Sequence, residues 1–161
     1  MAALSADVIR QKRGIGTTTN MVIGTGATVY IGSLIARGTA TARGIAAAVG
    51  TVRRVVGVCE AFNVSGSVDA DGVGDTSGNE RMEVGYGFEY DFNVLTAIRT
   101  NTSLGLRVFV STDNDVGGTA VGTSAVQVVA GTLVAWTDEV GTSKTNGWIK
   151  VHGFTSTNIA V

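Results

Sequence analysis

The sequence predicts a mainly β protein, a small β-barrel or β-sandwich of about seven to nine short strands, with little helix and a flexible N-terminal arm. Three observations predict it. Proline is absent, glycine numbers 23 of 161 residues, and only 16% of residues are charged, a composition suited to strands joined by glycine turns. Glu80 to Asn93 alternates without a break, and apolar runs bounded by glycine recur roughly every ten residues.

The alternating stretch is the predicted core strand. Met82, Val84, Tyr86, Phe88, Tyr90 and Phe92 fall on one face, and Arg81, Glu83, Gly85, Gly87, Glu89 and Asp91 on the other. Period two gives a strand one dry face and one wet face, whereas a helix would scatter these aromatics around its axis. Gly85 and Gly87 mark where so long a strand would bend or bulge.

Taken in order, residues 1–20 show no strand period, and Arg10, Lys12 and Arg13 precede two glycines and three threonines. This reads as an arm that orders only against a partner, with a short helix over Ser5 to Lys12 as an option. The β domain then spans 21–152. Its predicted strands are Met21 to Ile23, Thr28 to Ile35 and Val52 to Phe62, the last apolar on both faces and so buried on both. Residues 37–50 read as a loop, and 63–78 as a long polar loop. After the core strand comes a helical turn from Val94, then Leu104 to Thr112 with Leu104, Leu106, Val108 and Val110 inward and Phe109 outward. Asp113 to Asp115 forms a turn. Val126 to Val129 and Leu133 to Trp136 read as a hairpin around Ala130-Gly131, and Trp148 to His152 as the last firm strand. The tail, 153–161, ends in apolar residues that suit a further strand or cover for a neighbour.

The charge totals −1, which gives no global attraction to nucleic acid or anionic membrane. It is unevenly placed: residues 1–60 carry net +5 and the remainder net −6. That polarity suits docking between like copies or onto a larger charged surface, and solvated charges without a role fit it equally. No run of about 18 apolar residues exists to cross a membrane. The N-terminus lacks a compact signal-peptide core, so a soluble protein made in a reducing cytoplasm is expected. Cys59, the one cysteine, excludes an internal disulfide and reads as a small buried hydrophobe.

Chemistry-bearing constellations are sparse, and no enzyme, metal or cofactor is predicted. His152, the sole histidine, reads as a structural imidazole rather than a base or ligand. Asp69, Asp71 and Asp75 have some look of a calcium loop but lack its closing glutamate and flanking helices. Gly14-Ile15-Gly16 and Gly24-Thr25-Gly26 lack the rest of a phosphate fingerprint. Glu83 and Glu89 are not marked out as a sugar-cleaving pair. Trp136 and Trp148 could stack on sugars or bases, but fit core or interface packing better.

Several segments carry a resemblance: GTGATVYIGSLI (24–35), VVGVCEAF (55–62), GNERMEVGYGFEYDF (78–92), LGLRVFVSTDNDV (104–116), and VAGTLVAWTDEV (129–140) followed by GWIKV (147–151). With the opening AALSAD (2–7), this order resembles the tailed-bacteriophage capsid decoration, or cement, proteins. The likeness spans about residues 20–152 and rests on glycines and apolar residues at turns and strands. Loop 63–78, the lack of proline and the tail 153–161 depart from it. It implies a non-enzymatic structural virion protein on the capsid exterior. Its partners would be the major capsid protein and itself, as a homo-oligomer with a trimer favoured, and not nucleic acid or membrane. On that expectation the arm lies across capsid protein, with Arg10, Lys12 and Arg13 meeting acidic groups. The alternative from another class is a β-sandwich module binding sugar or calcium through Trp136, Trp148 or loop 63–78.

Overall fold

The computed structural model describes residues 3–38, 42–48, 52–62, 71–95, 98–99, 101–118, 126–137, 145–153 and 159–160. Its strands are β1 (Lys12–Arg13), β2 (Thr17–Val22), β3 (Leu34–Gly38), β4 (Gly44–Ala46), β5 (Val52–Ala61), β6 (Arg81–Tyr86), β7 (Glu89–Val94), β8 (Arg107–Val110), β9 (Asp115–Gly117), β10 (Val126–Gln127), β11 (Val129–Trp136), β12 (Asn146–Lys150) and β13 (Ile159–Ala160). The expected mainly β class holds, and the architecture is a closed five-stranded barrel with further strands. The barrel runs β7-β12-β11-β8-β9 and closes through a parallel β9–β7 pairing. A second sheet has the order β2-β6-β5-β3-β4, and β10 pairs with β13.

Two apolar clusters hold these layers. Barrel residues Tyr90, Phe92, Val94, Val108, Leu133 and Ile149 share one cluster with Leu34, Ala36, Val55 and Val58 of the sheet. Met82, Val84, Ile35, Val56 and Cys59 form the other with Ile23, Val29 and Phe62. Strand β5 therefore feeds both clusters, which is why its sequence is apolar on both faces.

The expected single core strand is two strands in two sheets. β6 ends at Tyr86 and β7 begins at Glu89. Between them Gly87 has φ 81°, a conformation that an L side chain rarely adopts. A Cβ there would also lie 3.2 Å from the Cα of Gly16. Met82 and Val84 enter one cluster, Tyr90 and Phe92 the other, and Phe88 packs against the second. Tyr86 is half-buried and belongs to neither. Alternation survives this break because the chain resumes the same parity after a two-residue corner.

Other boundaries differ for identifiable reasons. Of the arm expected over residues 1–20, residues 3–20 are described and do not stand apart from the domain: β1 pairs with β7, and β2, which crosses position 20, pairs with β6 along its whole length. TTTNMV shows no apolar alternation because β2 is a largely exposed edge strand, and threonine suits such a strand. No helix forms over Ser5 to Lys12. The strand expected over Thr28 to Ile35 starts only at Leu34, after a turn at Tyr30 to Ser33 closed by a 3.1 Å backbone bond. The expected loop 37–50 contains β4. The expected hairpin at Ala130-Gly131 is absent: β11 continues through both residues, and the register shift there against β8 is a bulge. Leu104 and Leu106 are exposed rather than inward, whereas Val108 and Val110 do face the core. Residues 96–97 of the helical turn expected from Val94 lie outside the described residues, and a 3-10 turn stands at Asn101–Ser103. The tail adds β13.

Candidate interaction surface

The N-terminal segment crosses from one layer to the other and is stitched to both. The Leu4 amide donates to Asp113 Oδ1 at 3.0 Å, and the Ile31 amide to Asp7 Oδ1 at 2.9 Å. The Val8 amide donates to the Ile31 carbonyl at 2.8 Å. Arg10 donates to the Gly32 carbonyl, to the Asp91 carbonyl at 2.7 Å and to Asn114 Oδ1 at 2.8 Å. These three acceptors belong to the turn before β3, to β7 and to the β8–β9 turn. Burial lowers the Arg10 pKa to about 10, against the opposing pull of Asp91, Asp113 and Asp115, so the guanidinium stays charged at neutral pH.

Lys12 and Arg13 are engaged in the same way. Lys12 Nζ lies 2.9 Å from Glu60 Oε2 and 4.4 Å from the Phe88 ring centroid. Arg13 Nε lies 2.6 Å from Glu89 Oε2, and its guanidinium covers Trp148 at 4.3 Å. The structure thus brings the three predicted contact residues together on one segment, and each is bound to its own domain.

Beneath this strap lies a half-open cavity of about 340 Å³, lined by Ile9, Arg10, Lys12, Val58, Glu60 and Tyr90 among others, with Cys59 in its wall. Tyr90 donates its hydroxyl to Glu60. Burial, then that bond, pushes the phenol far above its ordinary range, so Tyr90 is a donor and not a base. Burial pushes the Cys59 thiol up to about 12, so it is no nucleophile at neutral pH.

The buried polar hub under the strap was invisible in sequence. Asp113 and Asp115 are both buried. Ser33 Oγ donates to Asp113 Oδ2 at 2.7 Å, and the Leu34 amide donates to the Asp113 carbonyl at 2.8 Å. Thr112 Oγ1 and Asn93 Nδ2 donate to Asp115. DND reads as turn chemistry, and nothing local signals partners some 80 positions away in the chain.

The remaining candidates resolve simply. His152 Nε2 lies 2.8 Å from Thr132 Oγ1. Burial, then Lys150 and Arg107, lower its pKa, so it is a neutral imidazole at pH 7. Asp75 accepts from Ser77 and from the amides of Gly78 and Asn79, and Asp71 accepts from the Val73 amide. Both carboxylates are thus spent within their own turns, while Asp69 lies outside the described residues. Among the described residues no group of three acidic, histidine or cysteine side chains could hold a metal. Trp136 is buried in the core, and Trp148 is half-buried under Arg13.

What the strap leaves outward is an edge. β1 is an edge strand of the barrel sheet and β2 of the second sheet, joined through Gly14-Ile15-Gly16. Among the described residues no strand pairs with their outer edges. Ile15 at the junction is 95% exposed, and Ile9 on the strap 92%. Such an edge offers unpaired backbone groups to another chain, here with two large apolar side chains beside it. Comparison with protein-family models, with curated proteins and with solved structures found no match.

Proposed function

We propose that the protein is a structural component of a tailed-phage head, binding the outer surface of the capsid lattice and stabilising it. The open β1–β2 edge, with Ile15 standing clear of it, carries the reading. A partner strand can add to that edge through main-chain bonds while Ile15 enters an apolar pocket, the physics of β-augmentation. The sequence resemblance supplies the partner, the major capsid protein, and the preference for a trimer.

The strap changes how the contact is made. Arg10, Lys12 and Arg13 are satisfied internally, so on this reading they shape the edge instead of meeting capsid carboxylates. Contacts of this size are weak singly and add up over a lattice and over the copies in an oligomer.

Purified protein mixed with undecorated heads of the encoding phage, then sedimented, tests this. Saturable binding is expected. Ile15→Asp, a change at an exposed position, should weaken it at least about tenfold with melting unchanged. Wild-type protein that does not sediment with heads would overturn the reading.

A further inference from the structure

The strap clamps the domain without entering its core. Among the described residues neither apolar cluster draws a member from residues 3–16, and the first residue along the chain to touch either is Met21. Residues 4–13 are fixed instead by hydrogen bonds, by two ion pairs and by cations over Phe92, Phe88 and Trp148. Such a segment can lift away and leave both clusters filled, because water replaces lost polar partners as it cannot replace buried apolar ones.

Its connection to the rest of the chain is free to reopen. Gly14 has φ 83°, and a Cβ there would meet nothing within 4 Å. Ile15 is 95% exposed, so no packing holds the turn from outside. Gly16 is fixed, since a Cβ there would overlap the Tyr86 carbonyl and the Phe88 ring. The hinge is therefore Gly14 and Ile15, with the strap on one side and β2, paired along its length with β6, on the other. Glycine moves between left-handed and extended backbone without steric cost, so the strap can swing as a unit.

We propose that the strap exchanges between copies, residues 3–13 of one chain docking in the groove of a second and the second strap in the first. The groove itself selects this partner. The carbonyls of Gly32 and Asp91 with the Asn114 amide oxygen take one guanidinium, Glu60 takes an ammonium and Glu89 a second guanidinium. That set is matched to Arg10-Gln11-Lys12-Arg13, and a second copy carries the same sequence, with its Leu4 for Asp113 and its Asp7 for the Ile31 amide. Exchange keeps every one of these contacts. It costs the hinge change and the entropy of association, and nothing in packing, which makes it a low-cost route to a pair. Each copy gives one strap and receives one, so the assembly closes. The inference does not rest on head binding, because the groove lies beneath the strap and not on the outer β1–β2 edge.

Arg13→Cys and Glu89→Cys, made in separate full-length chains of which one is isotope-labelled, are mixed at high concentration and oxidised. Arg13 and Glu89 are directly opposed on β1 and β7, close enough for a disulfide. A mixed disulfide therefore forms where the strap of one chain lies on β7 of another. Cys59 stays silent, being buried with its thiol pushed up to about 12. The mixed product, identified by mass, should exceed that from Arg54→Cys with Glu89→Cys, which uses an exposed position of the second sheet, at least about tenfold. A second measurement leaves the strap contacts intact. Wild-type protein should show a concentration-dependent dimer in sedimentation. The chain carrying both substitutions, oxidised while dilute so that its own strap is locked, should stay monomeric at the same concentrations. Mixed disulfide no more abundant than in the control, absence of the wild-type dimer, or equal dimerisation of the locked chain would each overturn the proposal.

Discussion

The guanidinium of Arg10 lies 3.8 Å from the centroid of the Phe92 ring. One residue of the strap thereby caps a core aromatic of the barrel while it bonds the turn before β3 and the β8–β9 turn. β7 can pair with only one strand along each stretch of its free edge. β1 takes Glu89 and Tyr90, and β9 takes Asn93 and Val94. Arg10 fills the gap between them through the Asp91 carbonyl.

Arg10→Met keeps the apolar stem and removes the charge and its donors, leaving two carbonyls and the Asn114 amide oxygen unpaired. A loss of about 2–4 kcal/mol is expected in urea unfolding, because such bonds to a cation are worth more than neutral ones and their acceptors are costly to orphan. Arg10→Lys should recover little of it, since one ammonium cannot reach acceptors arranged for a planar fork. A shift in midpoint under about 0.5 kcal/mol would mean that the strap is held elsewhere.

Gly32 has φ 89°, and a Cβ there would collide with the Val8 carbonyl. Gly32→Ala combines backbone strain with a displaced strap, for an expected cost of about 1–3 kcal/mol. Trypsin provides a second readout. Cleavage after Arg10, Lys12 or Arg13 should be faster in the variant under native conditions, because a lifted segment is a better substrate. Unchanged cleavage would show that the segment docks without this turn.

His152 yields a pH dependence of known sign. Its pKa in the folded chain is lowered from the ordinary 6.5, chiefly by burial. Below 6.5 the unfolded chain takes up a proton that the folded chain resists, so stability falls as pH falls through that window. At pH 8 both states are neutral and the term vanishes. In His152→Gln the slope of the melting temperature between pH 8 and pH 5 should be shallower than in wild type. Equal slopes would place the sensitivity in other groups.

How much was legible follows from the range of each interaction. Burial on both faces of β5 was readable because Val55, Val56, Val58 and Cys59 state it in adjacent letters. The dry parity from Met82 to Phe92 was readable, but the corner at Gly87 was not, since a two-residue break preserves parity. β2 was missed because an edge strand need not be apolar. The three cations of the strap were visible as residues, yet read as free because Glu60, Glu89 and Asn114 lie 48, 76 and 104 positions away.

Composition and period therefore determined, unaided, that this chain is a β protein with glycine turns and that Met82, Val84, Tyr90, Phe92, Val108 and Val110 are dry. Those properties depend on each residue and its near neighbours, where propensity and alternation act. The tertiary structure alone decided that the N-terminal segment belongs to its own domain and that the alternating stretch serves two sheets. Pairing register and charge partners are set by which strands meet, and that is a property of the closed barrel as a whole.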